Sequence, residues 1–422
     1  MVVDPAALDA LLVERARERP HKVQHTVSWY HLQCQQRGLP ALEPRGLPLR
    51  PFLLPQALVP RLEIALAGVA AALETVETAR GPRPEGYPAL EERHRAAGHR
   101  LDLWRPDLRQ ERGALGLLDL NVGTPTAVTI FETDLLREFY FKMFEALDLD
   151  PKSLGLAHHA AVAPGVVTLL RARFPHVTTV LALHDQSQLL DAHQYDGQLA
   201  GFLEGLQRDW GVDVVVASPH QAATAAVLGD PRTLVLQLNT VDLTLEPAWQ
   251  RYLPLLSVPD VEHRWWTSPF SGALEKHLLP SLSQKPWTAP LYVPQAMAVT
   301  PEVLAELLHN QDAWVVKHGG NLKRVLVGRA CATSTWRDGV TLAAHLGGYV
   351  AQRVVQQVPS VIPVWEDGAV RMVEVEEEYS PFILDGRILT FFVRYLPLGS
   401  PSMVVSPPPK DLGLGVAWSW AG

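Results

Sequence analysis

The 422-residue chain has only two cysteines, Cys34 and Cys331, far apart in sequence. Such a pair offers neither metal-ligand spacing nor a disulfide framework, so a zinc site or a stapled secreted fold is not indicated and a reducing cytoplasm fits. Long apolar runs are missing too. None approaches the roughly 18 residues that would suggest a membrane span, and the start, "MVVDPAALDALLVERARERP", lacks the basic-then-apolar order of an export signal. A soluble chain is expected, with no membrane partner. An excess of positive charge is also absent: 37 basic against 45 acidic residues give a net charge of −8, with the basic residues dispersed. That argues against a nucleic-acid footprint and makes any phosphate binding local. No glycine-rich dinucleotide fingerprint follows a strand-like run, and no Gly-x-Ser-x-Gly elbow is present, which excludes two common enzyme signatures. His158, His159, His184, Asp185 and His193 match no helix-face or finger spacing and read as surface or core residues.

What is present is globular: 47% apolar and 19% charged residues, in a chain long enough for two or three domains with substantial cores. The proline-rich stretch "GLPALEPRGLPLRPFLLPQALVP" predicts an extended segment lying over other elements, because each proline removes a donor and biases its predecessor away from helix. "RLEIALAGVAAALETVETA" and "TAVTIFETDLLREFYFKMFEAL" read as helices. The runs "VTTVLAL", "VDVVVAS" and "TLVLQL", separated by helical stretches, predict a parallel α/β layer. Beyond about residue 285 the pattern turns to helix plus antiparallel strands. There, "WEDGAV" and "ILDGRI" place Asp-Gly turns between apolar runs.

Three separated pieces could carry chemistry. In "WVVKHGGNLKRVLVG" (314 to 328), a hairpin sets Lys317 beside Gly319 and Gly320, whose amides approach a ligand closely because no Cβ intervenes. That arrangement suits nucleotide phosphates; it also describes an ordinary solvated turn. "HRLDLW" and "LGLLDLN" alternate well enough to be hairpin arms around the polar, turn-like "RPDLRQERGA". They would bring Asp102 near Asp119 and Asn121, a hard-oxygen set suited to Mg²⁺ that keeps some waters and is also bound by phosphates. "GGYVAQRVV" (347 to 355) is a strand whose backbone could recognise adenine. Lys276 reads equally well as an exposed helix residue, and "EVEEE" (374 to 378) as a solvated strand edge whose acids could pair with Arg394.

"YVAQRVVQQVPSVIP", "EYSPFILDGRI", "FFVRYLP", "SMVV" and "KDLG", in that order, resemble the C-terminal half of circularly permuted ATP-grasp proteins, the glutathionylspermidine synthase-like group. "DLNVGTPTA" is similar to that group's acidic, Asn-containing magnesium motif, which in the permuted group precedes the phosphate-binding lysine. The resemblance implies magnesium ligation by Asp102, Asp119 and Asn121, with Arg100 facing the transferred phosphate or the substrate carboxylate. It implies nucleotide contacts from Lys317, Gly319, Gly320 and Lys276, Gln352 at the adenine hinge, and Arg394 stabilising an acyl phosphate. The chain departs from the group at Asp119, where Glu is usual, at His318, where Pro is more frequent, and at Ser380, where Arg often precedes the Pro-Phe pair.

The expected fold class is therefore α/β (α+β), a circularly permuted ATP-grasp module with an accompanying Rossmann-like parallel layer. Its divisions are 1–95 (helical and proline-rich), 96–150 (magnesium-motif hairpin and helix), 151–285 (the parallel layer) and 286–422 (lid and remaining core). The implied activity is ATP-dependent, ADP-forming ligation of a small-molecule or peptide carboxylate to an amine, with ATP and Mg²⁺ required. The alternative is a nucleotide-binding or scaffold protein that kept the fold and lost turnover. Homo-oligomer formation is left open.

Overall fold

The computed structural model describes residues 4–37, 46–75, 83–97, 103–111, 113–122, 130–184, 192–238, 241, 243–244, 246–270, 276–318, 325–398 and 413–420. Within them the chain is mixed α/β, built on three sheets. The largest runs, in spatial order, through Phe52–Pro55, Gly413–Trp420, Arg387–Pro397, Ala369–Leu384, Leu103–Glu111, Ala114–Val122 and Leu291–Tyr292. Its centre is an antiparallel meander, because the two Asp-Gly turns do what their composition predicts. Asp367 and Gly368, and Asp385 and Gly386, all have positive φ, the geometry that lets a two-residue turn follow the right-handed twist of its strands. Strand Ser360–Glu366 therefore pairs with Ala369–Leu384, which pairs in turn with Arg387–Pro397.

A second sheet of four strands is wholly antiparallel and ordered Ala296–Ala298, Tyr349–Arg353, Trp314–His318, Val325–Val327. Helix Thr333–Leu346 packs on it through Trp336, Val340 and Ala343, against Trp314 and Val316. The two described strands of the 314–328 stretch thus pair antiparallel, as its hairpin pattern predicts. The third sheet is the expected parallel layer, with Thr179–Leu183 between Asp213–Ala217 and Thr233–Gln237. Leu181, Leu183 and Val235 are buried beneath Trp249, Tyr252 and Trp265. Trp265 and Trp266 are 1% exposed and serve packing. No helix among the described residues is long and apolar enough to cross a membrane.

Several expectations require correction. The described part of the proline-rich segment, residues 46–60, does not lie over the fold. Leu47–Pro48 pairs with Ser360–Glu366, and Phe52–Pro55 pairs in parallel with Gly413–Trp420, so its extended backbone enters the large sheet at positions where missing donors are tolerated. "RPDLRQ" is not a turn: Leu103–Glu111 is strand throughout, and the reversal comes at Gly113, with φ of 86°. Nor are the last three acids of "EVEEE" a solvated edge, although Glu374 is exposed. Glu376, Glu377 and Glu378 are 7%, 5% and 3% exposed, in a strand paired on both sides.

One of these glutamates makes the fold sensitive to pH. Burial pushes the Glu377 carboxyl up to about 7, with Arg50 opposing. Burial likewise pushes Asp9 up to about 6, although Arg50 Nε lies 2.6 Å from Asp9 Oδ1. A carboxyl raised in the folded state binds its proton more tightly there than in the unfolded chain. Its stabilisation is complete below the unfolded value of 4.5 and is lost as pH rises through about 7. Glu377→Gln is expected to remove about 3 kcal/mol of this pH dependence. Chemical denaturation of both proteins from about pH 5 to about pH 8 checks it, the variant being the more stable at the alkaline end. His159, which burial lowers to about 4, acts in the opposite direction but equally in both proteins.

Candidate active site

The Leu103–Glu111 and Ala114–Val122 strands form an antiparallel hairpin in which Arg105 stands opposite Asn121 and Asp107 opposite Asp119. Partners directly across an antiparallel ladder share a face, with Cβ atoms about 4.5–5.5 Å apart. Two carboxylates in that relation repel unless cations stand between or around them. The register shifts at this point: Leu108 is opposite Leu117, so Leu118 is the extra residue of a β-bulge. An extra residue of this kind is left out of the ladder, and its carbonyl becomes available to another element.

Lys317, on the neighbouring small sheet, takes up that carbonyl. Its Nζ donates to Leu118 O at 2.6 Å and to Gln352 Oε1 at 2.9 Å, while Gln352 Nε2 donates to Leu117 O at 2.8 Å. Lys317 and Gln352 lie on paired strands, 4% and 2% exposed respectively. Burial lowers the Lys317 ammonium below its ordinary value, and the nearby Asp119 opposes that effect. Lys276 is not the exposed helix residue its sequence also allowed. It is 2% exposed, precedes helix Leu279–Ser283, and holds Nζ 3.7 Å from Asp119 Oδ2.

On the other side of the hairpin, Arg394 bonds Asp107 Oδ2 at 3.0 Å and also pairs with Glu378, its cross-strand partner. Ser380 Oγ donates to Asp107 Oδ1 at 2.6 Å. Burial alone would raise the Asp107 carboxyl; Arg394 and Arg105, with the Ser380 and Asn121 hydrogen bonds, outweigh it and hold the group below the usual carboxylate range. Arg109 and Arg329 flank Glu376 at 3.3 and 3.1 Å. Burial lowers Arg109 to about 10, with Glu376 opposing. Among the described residues the cations named here outnumber the carboxylates, which favours an anionic ligand.

Lys276, Lys317, Gln352, Asp119, Asn121 and Arg394 thus gather around one hairpin, although Lys317 and Leu118 are 199 residues apart. Arg100, Asp102, Gly319 and Gly320 lie outside the described residues. Two residues escaped the sequence reading, Arg105 and Asp107. The signal was present: the Arg-x-Asp spacing seen at Arg100 and Asp102 recurs five positions later, and it is this second copy that stands opposite Asn121 and Asp119.

Asn121 donates to Arg105 O at 3.0 Å and hydrogen-bonds Asp107, so its Oδ1 is the atom left to face a cation. Asp119 accepts Leu120 N through Oδ1 at 3.0 Å and presents Oδ2 toward Lys276. No group of three or more His, Cys, Asp or Glu that could hold a metal occurs among the described residues. Asp119 Oδ2 and Asn121 Oδ1 are hard oxygens of the kind that Mg²⁺ takes, an ion that seldom uses an all-protein cage.

No protein-family model matches the chain, and no curated protein does. Among solved structures, a glutathione synthetase-like effector from Globodera pallida, in its apo form, aligns over 97% of this chain and 97% of its own, at 10% identity and a TM-score of 0.49. A provisionally named gamma-glutamylcysteine synthetase from Methylobacillus flagellatus KT aligns over 76% of this chain and 83% of its own, at 13% identity and a TM-score of 0.36. At these scores and identities neither likeness carries an argument about this chain.

Proposed function

We propose that the chain is an ATP-dependent, ADP-forming ligase of the ATP-grasp kind, joining a carboxylate to an amine through an acyl phosphate. One observation carries the reading: Lys317, from the small sheet, reaches the bulge beside Asp119 in the large one, so a cationic group and a hard-oxygen pair meet where the two sheets join. The order of motifs along the chain supports a circularly permuted version of that fold, with the parallel layer preceding the lid.

In this reading Lys317 and Lys276 hold the phosphates, and Asp119 and Asn121 would hold magnesium. When bound, that ion would supply positive charge to neutralise the phosphates. Arg394, fixed by Asp107 and Glu378, faces the oxygens that gain charge as phosphoryl transfer proceeds, and Arg105 lies nearby. A carboxylate oxygen attacks the γ-phosphorus and the bond to ADP breaks. The amine then attacks the acyl carbon, phosphate leaves, and the amine proton is released. The chain's contribution is positioning and fixed charge, which dominate phosphoryl transfer. The small sheet, held against the hairpin by Lys317 and Gln352, would keep water from the acyl phosphate.

A second reading, nucleotide binding without turnover, has its own support: Lys317 is satisfied within the chain by Leu118 and Gln352, and Lys276 lies beside Asp119. ADP release separates the two. With magnesium, ATP and a panel of small carboxylates and amines, the ligase reading expects ADP and phosphate only when an acid and an amine are both present. Asp119→Asn should lower the rate about 100-fold or more. Binding of ATP with no ADP release from any pair would favour the second reading.

A further inference from the structure

Gln352 is placed by resemblance at an adenine hinge, yet its side chain is directed elsewhere. Both of its polar atoms are engaged away from any base: Oε1 accepts from Lys317 Nζ at 2.9 Å, and Nε2 donates to Leu117 O at 2.8 Å. Leu117 and Leu118 are consecutive at the bulge, so one amide and one ammonium fasten adjacent carbonyls of the large sheet to the small one. The surrounding packing leaves this joint little freedom. A Cβ on Gly116 would come within 2.7 Å of Val355 Cγ2 and 2.9 Å of Tyr292 Oη, so the hairpin lies almost against the segment that follows Gln352. Gln356 N donates to Glu111 Oε1 at 3.2 Å on the same side, and Tyr292 Oη donates to the other oxygen of that carboxylate.

We infer that Gln352 is a positioning residue for Lys317, fixing its ammonium against the β-bulge so that it meets phosphate in one orientation, and that its side chain takes no part in reading the base. The inference rests on the proposed nucleotide site but concerns a contact that exists without ligand. Lysine has four rotatable side-chain bonds, and a buried ammonium with only the Leu118 carbonyl would keep other rotamers open. Gln352 removes them by supplying a second acceptor that is itself pinned through Leu117 O. The bulge explains why the pin works: a regular ladder would direct the carbonyls of consecutive residues to opposite sides, whereas an inserted residue re-aims one of them.

The test uses the full chain and two probes, magnesium–ATP and magnesium–tripolyphosphate, titrated by calorimetry against wild type, Gln352→Leu and Gln352→Glu. Loss of one hydrogen bond to a charged group should weaken both probes by a similar factor in Gln352→Leu, about tenfold. Gln352→Glu keeps an acceptor for Lys317 but loses the donor to Leu117 O and adds a negative charge, so it too should weaken both probes by a similar factor. A loss confined to ATP, with tripolyphosphate unchanged, would mean that Gln352 serves the adenosine and would overturn the inference. The second readout needs no nucleotide: acylation of Lys317 by an amine reagent, followed by peptide mass mapping. Lys317 should be protected in wild type and Gln352→Glu and labelled several-fold faster in Gln352→Leu, while a surface lysine such as Lys152 is unchanged. Equal protection in all three proteins would overturn the inference. If wild type binds neither probe, the nucleotide reading fails and the acylation result alone decides the role of Gln352.

Discussion

Arg394→Met is expected to destabilise the protein by about 3–5 kcal/mol, because it removes the cation shared by two buried carboxylates. Asp107 and Glu378 lie on adjacent strands of the large sheet, 7% and 3% exposed, and both reach Arg394. Methionine fills similar space but leaves the acids facing each other across a low-dielectric interior. Arg105 still faces Asp107, so the acid left to protonate is Glu378. Equilibrium denaturation should therefore show a deficit at neutral pH that shrinks toward about pH 5, since a carboxyl whose partner is lost has its folded pKa raised and is stable when neutral. Adding Glu378→Gln to Arg394→Met should recover part of the loss. A variant as stable as wild type at neutral pH would show that the ion cluster contributes no net stability.

The second large effect concerns binding, with the fold preserved. In Lys317→Met the buried ammonium becomes an apolar chain of similar reach, and Asp119 keeps Lys276 as its cation. Burial already disfavours the charge at Lys317, which offsets part of the cost of leaving Leu118 O and Gln352 Oε1 without their donor, so its removal should destabilise the fold by about 2 kcal/mol, less than Arg394→Met. Its proposed contact with phosphate is charge-assisted, and losing it should raise the dissociation constant for magnesium–ATP about 30-fold. Calorimetric titration beside a denaturation curve checks both halves. A folded variant that binds as well as wild type would remove Lys317 from the site. The pattern differs from that of Arg394→Met, and the difference follows from partners: one cation is shared by two acids, the other rests on a carbonyl and an amide.

The elements visible in sequence were those whose cause is local. The Asp-Gly turns at 367–368 and 385–386 require only residues that tolerate positive φ. The parallel layer announces itself through short, wholly apolar runs with helical spacers. Asp107 and the three glutamates at 376–378 were hidden because their cause is distant. A run such as Arg-Pro-Asp-Leu-Arg-Gln is polar by composition, and it becomes a buried strand only because acids and arginines some 270 positions away neutralise it: Ser380 and Arg394 for Asp107, Glu376 for Arg109. Gln352 shows the same limit. Its type and strand were legible, but the direction of its amide depends on a bulge in another sheet, created by one extra residue in an otherwise regular hairpin.

The most direct measurement is a crystal structure with magnesium and a non-hydrolysable ATP analogue. The account predicts the triphosphate between the two sheets, with the Lys317 ammonium on a phosphate oxygen and a magnesium ion joining phosphate oxygens to Asp119 and Asn121. A nucleotide bound elsewhere on the chain, with Lys317 and Asp119 both turned away from it, would contradict the account.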